Sequence, residues 1–380
     1  MKIAIMTLRP SKNYGGILQA WALQQVLKNE GNNPVTIYRE TDPKSFIYYI
    51  ARNLYRFILK IFGKRKGPIN FEKNISFILK NTKSFIGHNI NMSEVLGSSE
   101  DLEAHFQREN YDAVIVGSDQ TWRPSYSPNI GNFFLDFLKG SDIKRIAYAS
   151  SFGVDNWEYT EKQTQHFAQL IKEFDAISVR EASGVNLCKE YLGVEAIHVL
   201  DPTLLVKREA YEALFEVKNI PSREGIYTYI LDQSEWKNRV VETARRILEK
   251  PVYCNQPRSS MHQPTSKELA DYVMPSVEGW VKGFHDAEFV ITDSFHGAVF
   301  AIIFNKPFIS LMNPKRGASR FYSMLNQFGL EKRLVSSFDI NVIENIIAEP
   351  VGYADVNMKL SSLRKKSESF LFYSLDKVDA

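Results

Sequence analysis

The chain has 380 residues, 44% hydrophobic and 24% charged, with a formal net charge of +3. That length exceeds one ordinary core and suits two domains, and the near-balanced charge gives no electrostatic footprint for nucleic acid. Cys188 and Cys254 are the only cysteines, with no C-x-x-C, which argues against a disulfide framework or a thiolate zinc site and fits a reducing compartment.

The opening MKIAIMTL is too short an apolar run for a signal-peptide core and reads as a first strand, Lys2 to Met6. A loop holding Asn13, Tyr14, Gly15 and Gly16 follows. A helix then carries Leu18, Trp21, Ala22, Gln25 and Val26 near helical spacing, with Gly31 past its end. With a strand at Val35 to Tyr38, this is a βαβ opening whose glycine loop lets a phosphate or sugar approach backbone N–H groups. The loop is neither G-x-G-x-x-G nor a Walker A sequence, and a plain tight turn is the ordinary alternative.

Phe46 to Phe62 is rich in Tyr, Phe, Ile and Leu, with Arg52, Arg56 and Lys60 four apart and Lys64, Arg65 and Lys66 just beyond. A helix there carries a basic stripe beside a broad apolar surface. It would either rest on anionic lipid or, the more ordinary outcome, pack on its own domain with the basic face solvated. Asn70 to about Ser99 reads as a polar, loop-rich continuation of this insertion, which occupies about 41–100. No stretch is long and uncharged enough to span a bilayer, so the expected location is cytoplasmic, at most peripheral at the inner membrane face.

Further strands are expected at Asp112 to Val116, Ile146 to Ser150, Ala176 to Val179 and Ala196 to Leu200. Their exits present Ser118 and Asp119, then Arg180, then Asp201. Val206 to Glu224, more charged and containing Pro221, reads as the linker. A second α/β unit begins at Ile226, with a helix at Glu235 to Leu248 and a strand at Val252 to Cys254. In FVITDSFHGAVFAIIFNKPFISLM, Phe289 to Met312, a buried strand, a short helix and another buried strand succeed one another. Asp293 or Ser294 is placed to cap that helix, which sets Ser294 and His296 at its first turn, at a strand's carboxyl end. A basic loop with Lys315 and Arg316 and a helix from about Arg320 follow. The expected domains are 1–210 and 222–355, with a helix in 356–380 packing back on the first.

These residues suit two Rossmann-like domains facing each other across a cleft, an α/β architecture. Arg180, Lys315, Arg316 and Arg320 are candidates to neutralise a phosphate plus a carboxylate. His296 is the candidate proton donor and Asp119 the candidate partner of a hydroxyl. No residue set reads as metal ligands, and no G-x-S-x-G elbow occurs.

Asn13 to Gly16, VGSDQTW at Val116 to Trp122, SVREASG at Ser178 to Gly184, VLDPTLL at Val199 to Leu205 and TDSFHGAVFA at Thr292 to Ala301 follow one another in an order and spacing that resembles the polysaccharide pyruvyl transferases. The resemblance implies a GT-B-like pair of domains. It also implies transfer of pyruvate from phosphoenolpyruvate, the donor substrate, to sugar hydroxyls as a ketal, with no further cofactor. The implied acceptor is a saccharide, free, nucleotide-linked or lipid-linked. The family's donor-binding arginine falls on Arg180 and its histidine on His296. Many members carry an arginine two residues before that histidine, where this chain has Ser294, so Lys315 or Arg316 would supply the charge. A nucleotide-sugar glycosyltransferase and a non-catalytic saccharide-binding protein share the same scaffold.

Overall fold

A computed structural model describes residues 1–259, 268–313 and 317–376. Among them, seven strands form one sheet: β1 (Lys2–Met6), β2 (Asn33–Arg39), β3 (Met92–Leu96), β4 (Ala113–Val116), β5 (Lys144–Ser150), β6 (Ala176–Val179) and β7 (Ile197–His198). Their order is 3-2-1-4-5-6-7, and every neighbouring pair is parallel. A second parallel sheet contains β8 (Ile226–Tyr229), β9 (Val252–Cys254), β10 (Phe289–Thr292), β11 (Phe308–Leu311) and β12 (Leu334–Val335), ordered 12-11-10-8-9. The central strands β4, β8, β10 and β11 are buried throughout. Helices cover both faces of such sheets, which is why these strands read as apolar runs rather than alternating ones.

Strand order reverses between β1 and β4 in the first sheet and between β8 and β10 in the second. Crevices open outside the carboxyl ends of strands at such reversals. The two halves meet there. Tyr14 stacks on Trp280 with ring centroids 5.4 Å apart, and its hydroxyl donates to the Pro275 carbonyl at 2.8 Å. The helix Tyr353–Asp376 returns to the first half. Its Ser367 hydroxyl accepts from Leu200 N at 3.0 Å, and its Arg364 Nε donates to Leu204 O at 2.9 Å.

Two segments differ from expectation. Residues 70–99 are not loop-rich: they hold the helix Lys80–Asn89 and the edge strand β3. Gln24 anchors this region, its amide donating to Asn91 O at 2.7 Å and its carbonyl accepting from Asn91 N at 3.0 Å. The expected linker contains the helix Arg208–Glu216, whose Tyr211 is fully buried between Trp21 and Phe300. That Tyr211 ties the connection to both halves.

Candidate active site between the two sheets

From the first sheet, the helix Tyr14–Asn29 begins after β1. Asn13 caps it, accepting from Gly15 N at 3.1 Å, and is itself exposed. Gly15 and Gly16 form the buried first turn. Asp119, at φ +75°, follows β4; its Oδ2 lies 3.3 Å from where a Gly16 Cβ would stand. Arg180 ends β6, and Asp201 follows β7 as the cap of the short helix Pro202–Leu205, accepting from Thr203 N at 3.0 Å.

From the second sheet, Ser294 caps the helix Phe295–Ile303 through Gly297 N. His296 sits in that helix's first turn, its ring against Gly15. Asp293, the other expected cap, makes its hydrogen bonds within the second half, Asn313 Nδ2 at 3.0 Å among its donors. Its carboxylate accepts from Leu231 N at 2.6 Å, Asp232 N at 3.1 Å and Lys237 Nζ at 2.6 Å, fastening β8, β10 and the Glu235–Leu248 helix together.

Asp201 joins the halves. Its Oδ2 accepts from Arg180 Nη1 at 2.9 Å and Ser118 Oγ at 3.2 Å, and it lies 3.6 Å from His296 Nε2, longer than a hydrogen bond. Burial alone would raise the Asp201 pKa, but His296, Arg180 and the Thr203 hydroxyl outweigh it and hold the carboxyl well below its ordinary range. Arg180 also lies 3.6 Å from Asp119 Oδ1. Burial would lower the Arg180 pKa, but Asp201, Asp119 and Glu181 outweigh that and raise it.

A second buried cation completes the group. Arg320, in the helix Ala318–Phe328, stands over the Phe295 ring with its guanidinium carbon 5.8 Å from the centroid, and Arg180 stands over the same ring at 4.9 Å. Burial first, and Arg180 next, push the Arg320 pKa down to about 10. Gly317 makes this approach feasible: a Cβ there would lie 1.9 Å from Gly153 O and 3.0 Å from Arg320 Nε. Arg180 Nε and Nη2 and His296 Nε2 are buried and find no hydrogen-bond partner among the described residues. Leaving such groups unpaired costs about 1–3 kcal/mol each, more when charged.

The structure thus brings Gly15, Gly16, Ser118, Asp119, Arg180, Asp201, Ser294 and His296 into one region, with Asn13 at its edge as a helix cap. Lys315 and Arg316 lie outside the described residues. Sequence reasoning missed Phe295 and Glu181. Phe295 reads as one more apolar residue of a core helix. Glu181 braces the Ser151–Gly153 turn, accepting from Ser151 Oγ and Phe152 N at 2.9 Å; only its place beside Arg180 hinted at it. Among the described residues no group of three or more His, Cys, Asp or Glu side chains is placed to hold a metal ion.

Comparison with solved structures gives similarity over nearly the whole chain. A UDP-N-acetylglucosamine 2-epimerase from Rickettsia bellii aligns over 99% of this chain and 97% of its own, at 11% identity and a TM-score of 0.52. A UDP-GlcNAc 2-epimerase from Methanocaldococcus jannaschii covers 93% of each chain at 13% identity and TM-score 0.48. A glycosyltransferase from Rickettsia africae ESF-5 covers 98% of this chain and 93% of its own, at 10% identity and TM-score 0.48. The first of these shows the fold, two Rossmann-like halves arranged as in GT-B enzymes. Comparison with curated proteins gives no match. The model of one family, described as polysaccharide pyruvyl transferase, matches residues 13–315. With that match over well more than half its length, the chain belongs to the polysaccharide pyruvyl transferase family.

Proposed function

We propose that this transferase moves pyruvate from phosphoenolpyruvate to a pair of sugar hydroxyls, forming a cyclic ketal on a cell-surface polysaccharide precursor. The observation that carries the reading is the pair of buried guanidiniums, Arg180 and Arg320, over one phenyl ring, with Arg180 Nε and Nη2 making no hydrogen bond among the described residues. Two fixed cations in a water-poor site match a small ligand bearing a phosphate and a carboxylate.

In this scheme His296 gives a proton to the donor's methylene carbon, leaving a cationic C2. A sugar hydroxyl adds to C2 and yields its proton to Asp119. The C2–O bond to phosphate then breaks, with the leaving anion stabilised by Arg180 and Arg320. A second hydroxyl adds to C2, its proton departing with phosphate, and the ketal closes. Asp201 touches no reacting atom in this scheme; it orients Arg180 and His296.

The test mixes the protein with phosphoenolpyruvate and a panel of galactose-, mannose- and N-acetylhexosamine-containing acceptors, following phosphate release and acceptor mass together. The expected product is an acceptor heavier by one pyruvate ketal, with one phosphate released per ketal. A melting temperature raised by a nucleotide sugar but not by phosphoenolpyruvate would instead assign a glycosyltransferase.

A further inference from the structure

The helix Phe46–Ile61 is turned inside out. An amphipathic helix on a soluble domain normally aims its apolar stripe at the core. Here Arg52 and Arg56 face the protein, 3.8 and 2.7 Å from Glu72, and Arg56 Nη1 donates to Ile69 O at 3.0 Å. The apolar stripe faces outward. Phe46 is 78% exposed, Ile47 76% and Ile61 66%, with Leu54 and Phe57 between them and Phe62 just after. No residue of the helix is buried. A contiguous apolar surface of this kind is an interaction site or a liability.

Charge selects the occupant. Between Pro43 and Phe71 stand Lys44, Arg52, Arg56, Lys60, Lys64, Arg65 and Lys66, and no carboxylate. Because the whole chain carries only +3, the remainder is net negative. A second copy seated on this face would set those cations against their own duplicates. An anionic lipid surface satisfies both features: acyl chains receive the apolar side chains, and headgroup phosphates receive the lysines. Tyr48, Tyr49 and Tyr55, all exposed, flank the stripe, and tyrosine suits the boundary between headgroup and hydrocarbon. At 16 residues the helix is shorter than the roughly 20 needed to cross a bilayer.

We propose that the Phe46–Ile61 helix, with Lys64 to Lys66, is an in-plane anchor for an anionic membrane surface. The helix leaves the carboxyl end of β2, the sheet edge that also carries Gly15, Asp119 and Arg180. The chain beyond it is tied to the other half beside the site. Met274 N donates to Ile78 O at 2.9 Å, and Asn81 Nδ2 donates to Met274 O at 2.7 Å, next to the Pro275 carbonyl that receives the Tyr14 hydroxyl. Docking through this helix sets the cleft beside the bilayer, where a lipid-linked saccharide would be presented. That last step rests on the transferase reading; the docking does not.

The full chain is sedimented with vesicles of phosphatidylglycerol and phosphatidylcholine, and with phosphatidylcholine alone. Expected is binding to the anionic vesicles, at least about tenfold weaker on the neutral ones, and falling as salt rises from about 0.1 to about 0.5 M. Leu54→Ser with Ile61→Ser, both on the exposed face, lowers anionic-vesicle binding at least about tenfold while the melting temperature is kept. Lys60→Gln with Lys64→Gln and Lys66→Gln does the same. Failure to sediment with either vesicle overturns the proposal, as does unchanged binding by the Leu54/Ile61 variant. Concentration-dependent self-association abolished by the same two serines also overturns it, assigning the face to a second copy. Phosphate release with a soluble acceptor is measured on every variant, so loss of docking and loss of catalysis are read separately.

Discussion

Gly15 of the first half and His296 of the second touch so closely that a Cβ on Gly15 would lie 2.1 Å from the imidazole Nδ1. The glycine is therefore a contact requirement across the cleft, beyond any demand of the turn. Gly15→Ala should displace the imidazole or part the two halves. Displacements of about 1 Å at a reacting group cost on the order of a hundredfold in rate. We expect phosphate release to fall by at least that much while donor affinity, measured by calorimetry, changes little. Normal turnover by the alanine variant would mean that His296 is not held for proton transfer.

His296→Gln keeps a similar volume at the helix start and removes the proton donor. General acids of this kind contribute about 10²–10⁴-fold. We expect turnover to drop within that range, with phosphoenolpyruvate affinity retained because the guanidiniums remain. A variant that loses donor affinity and keeps turnover at saturation would give His296 a binding role instead.

Much of this site was legible because parallel strands announce themselves. Residues of β1, β4, β6 and β10 form short apolar runs, and the polar residues just past each run land at the cleft. The Ser294 cap and the place of His296 in the first turn are legible from the same pattern. Three features stayed hidden for physical reasons. The Arg208–Glu216 helix buries little besides Tyr211 and Phe215, so its charged remainder reads as linker. Phe295 lies in a helix buried throughout, where periodicity cannot single out one aromatic. The orientation of the Phe46–Ile61 helix is invisible in sequence, because amphipathic spacing fixes that two faces exist and leaves open which one meets the protein.

Asp201 makes stability depend on pH, with a definite sign. Its folded pKa is depressed below the ordinary aspartate value of about 3.9. A group shifted this way contributes stability that is fully present above that value and is lost as pH falls below it toward the folded pKa. The wild-type chain should therefore lose stability as the medium is acidified below about pH 4. Asp201→Asn removes the nearer of the two carboxylates paired with buried Arg180, and breaking a buried pair costs up to about 3–5 kcal/mol. Urea unfolding should show that deficit at pH 7 and a smaller one near pH 3.5. A deficit that stays constant with pH would mean the carboxylate's charge is not what stabilises the fold.

Asp293 and Lys237 provide a control within the second half. Lys237 Nζ lies 2.6 Å from Asp293 Oδ2, and both residues are buried. Asp293→Ala leaves the ammonium with the Asp232 carbonyl but no counter-charge, and takes the acceptor from the N–H groups of Leu231 and Asp232. A loss of about 3–5 kcal/mol is expected. Donor affinity of the folded fraction should stay near the wild-type value, since Asp293 bonds Leu231, Asp232, Lys237 and Asn313 rather than Arg180 or His296. A selective loss of donor binding at unchanged stability would move Asp293 into the site.

Arg320 separates stability from function most sharply. Its pKa is pushed down to about 10 by burial and by Arg180, so the folded protein holds this cation at a disadvantage whenever it is charged. Arg320→Met removes the disfavoured charge and keeps most of the side chain's volume. The unliganded variant should unfold at equal or higher urea concentration than wild type. Phosphoenolpyruvate binding should weaken by at least about tenfold, the loss of one charge-assisted contact. Saturating phosphoenolpyruvate should therefore raise the wild-type melting temperature clearly and the variant's far less. If Arg320 were only a structural prop, the order would reverse: stability would fall, and the ligand-induced rise would match wild type.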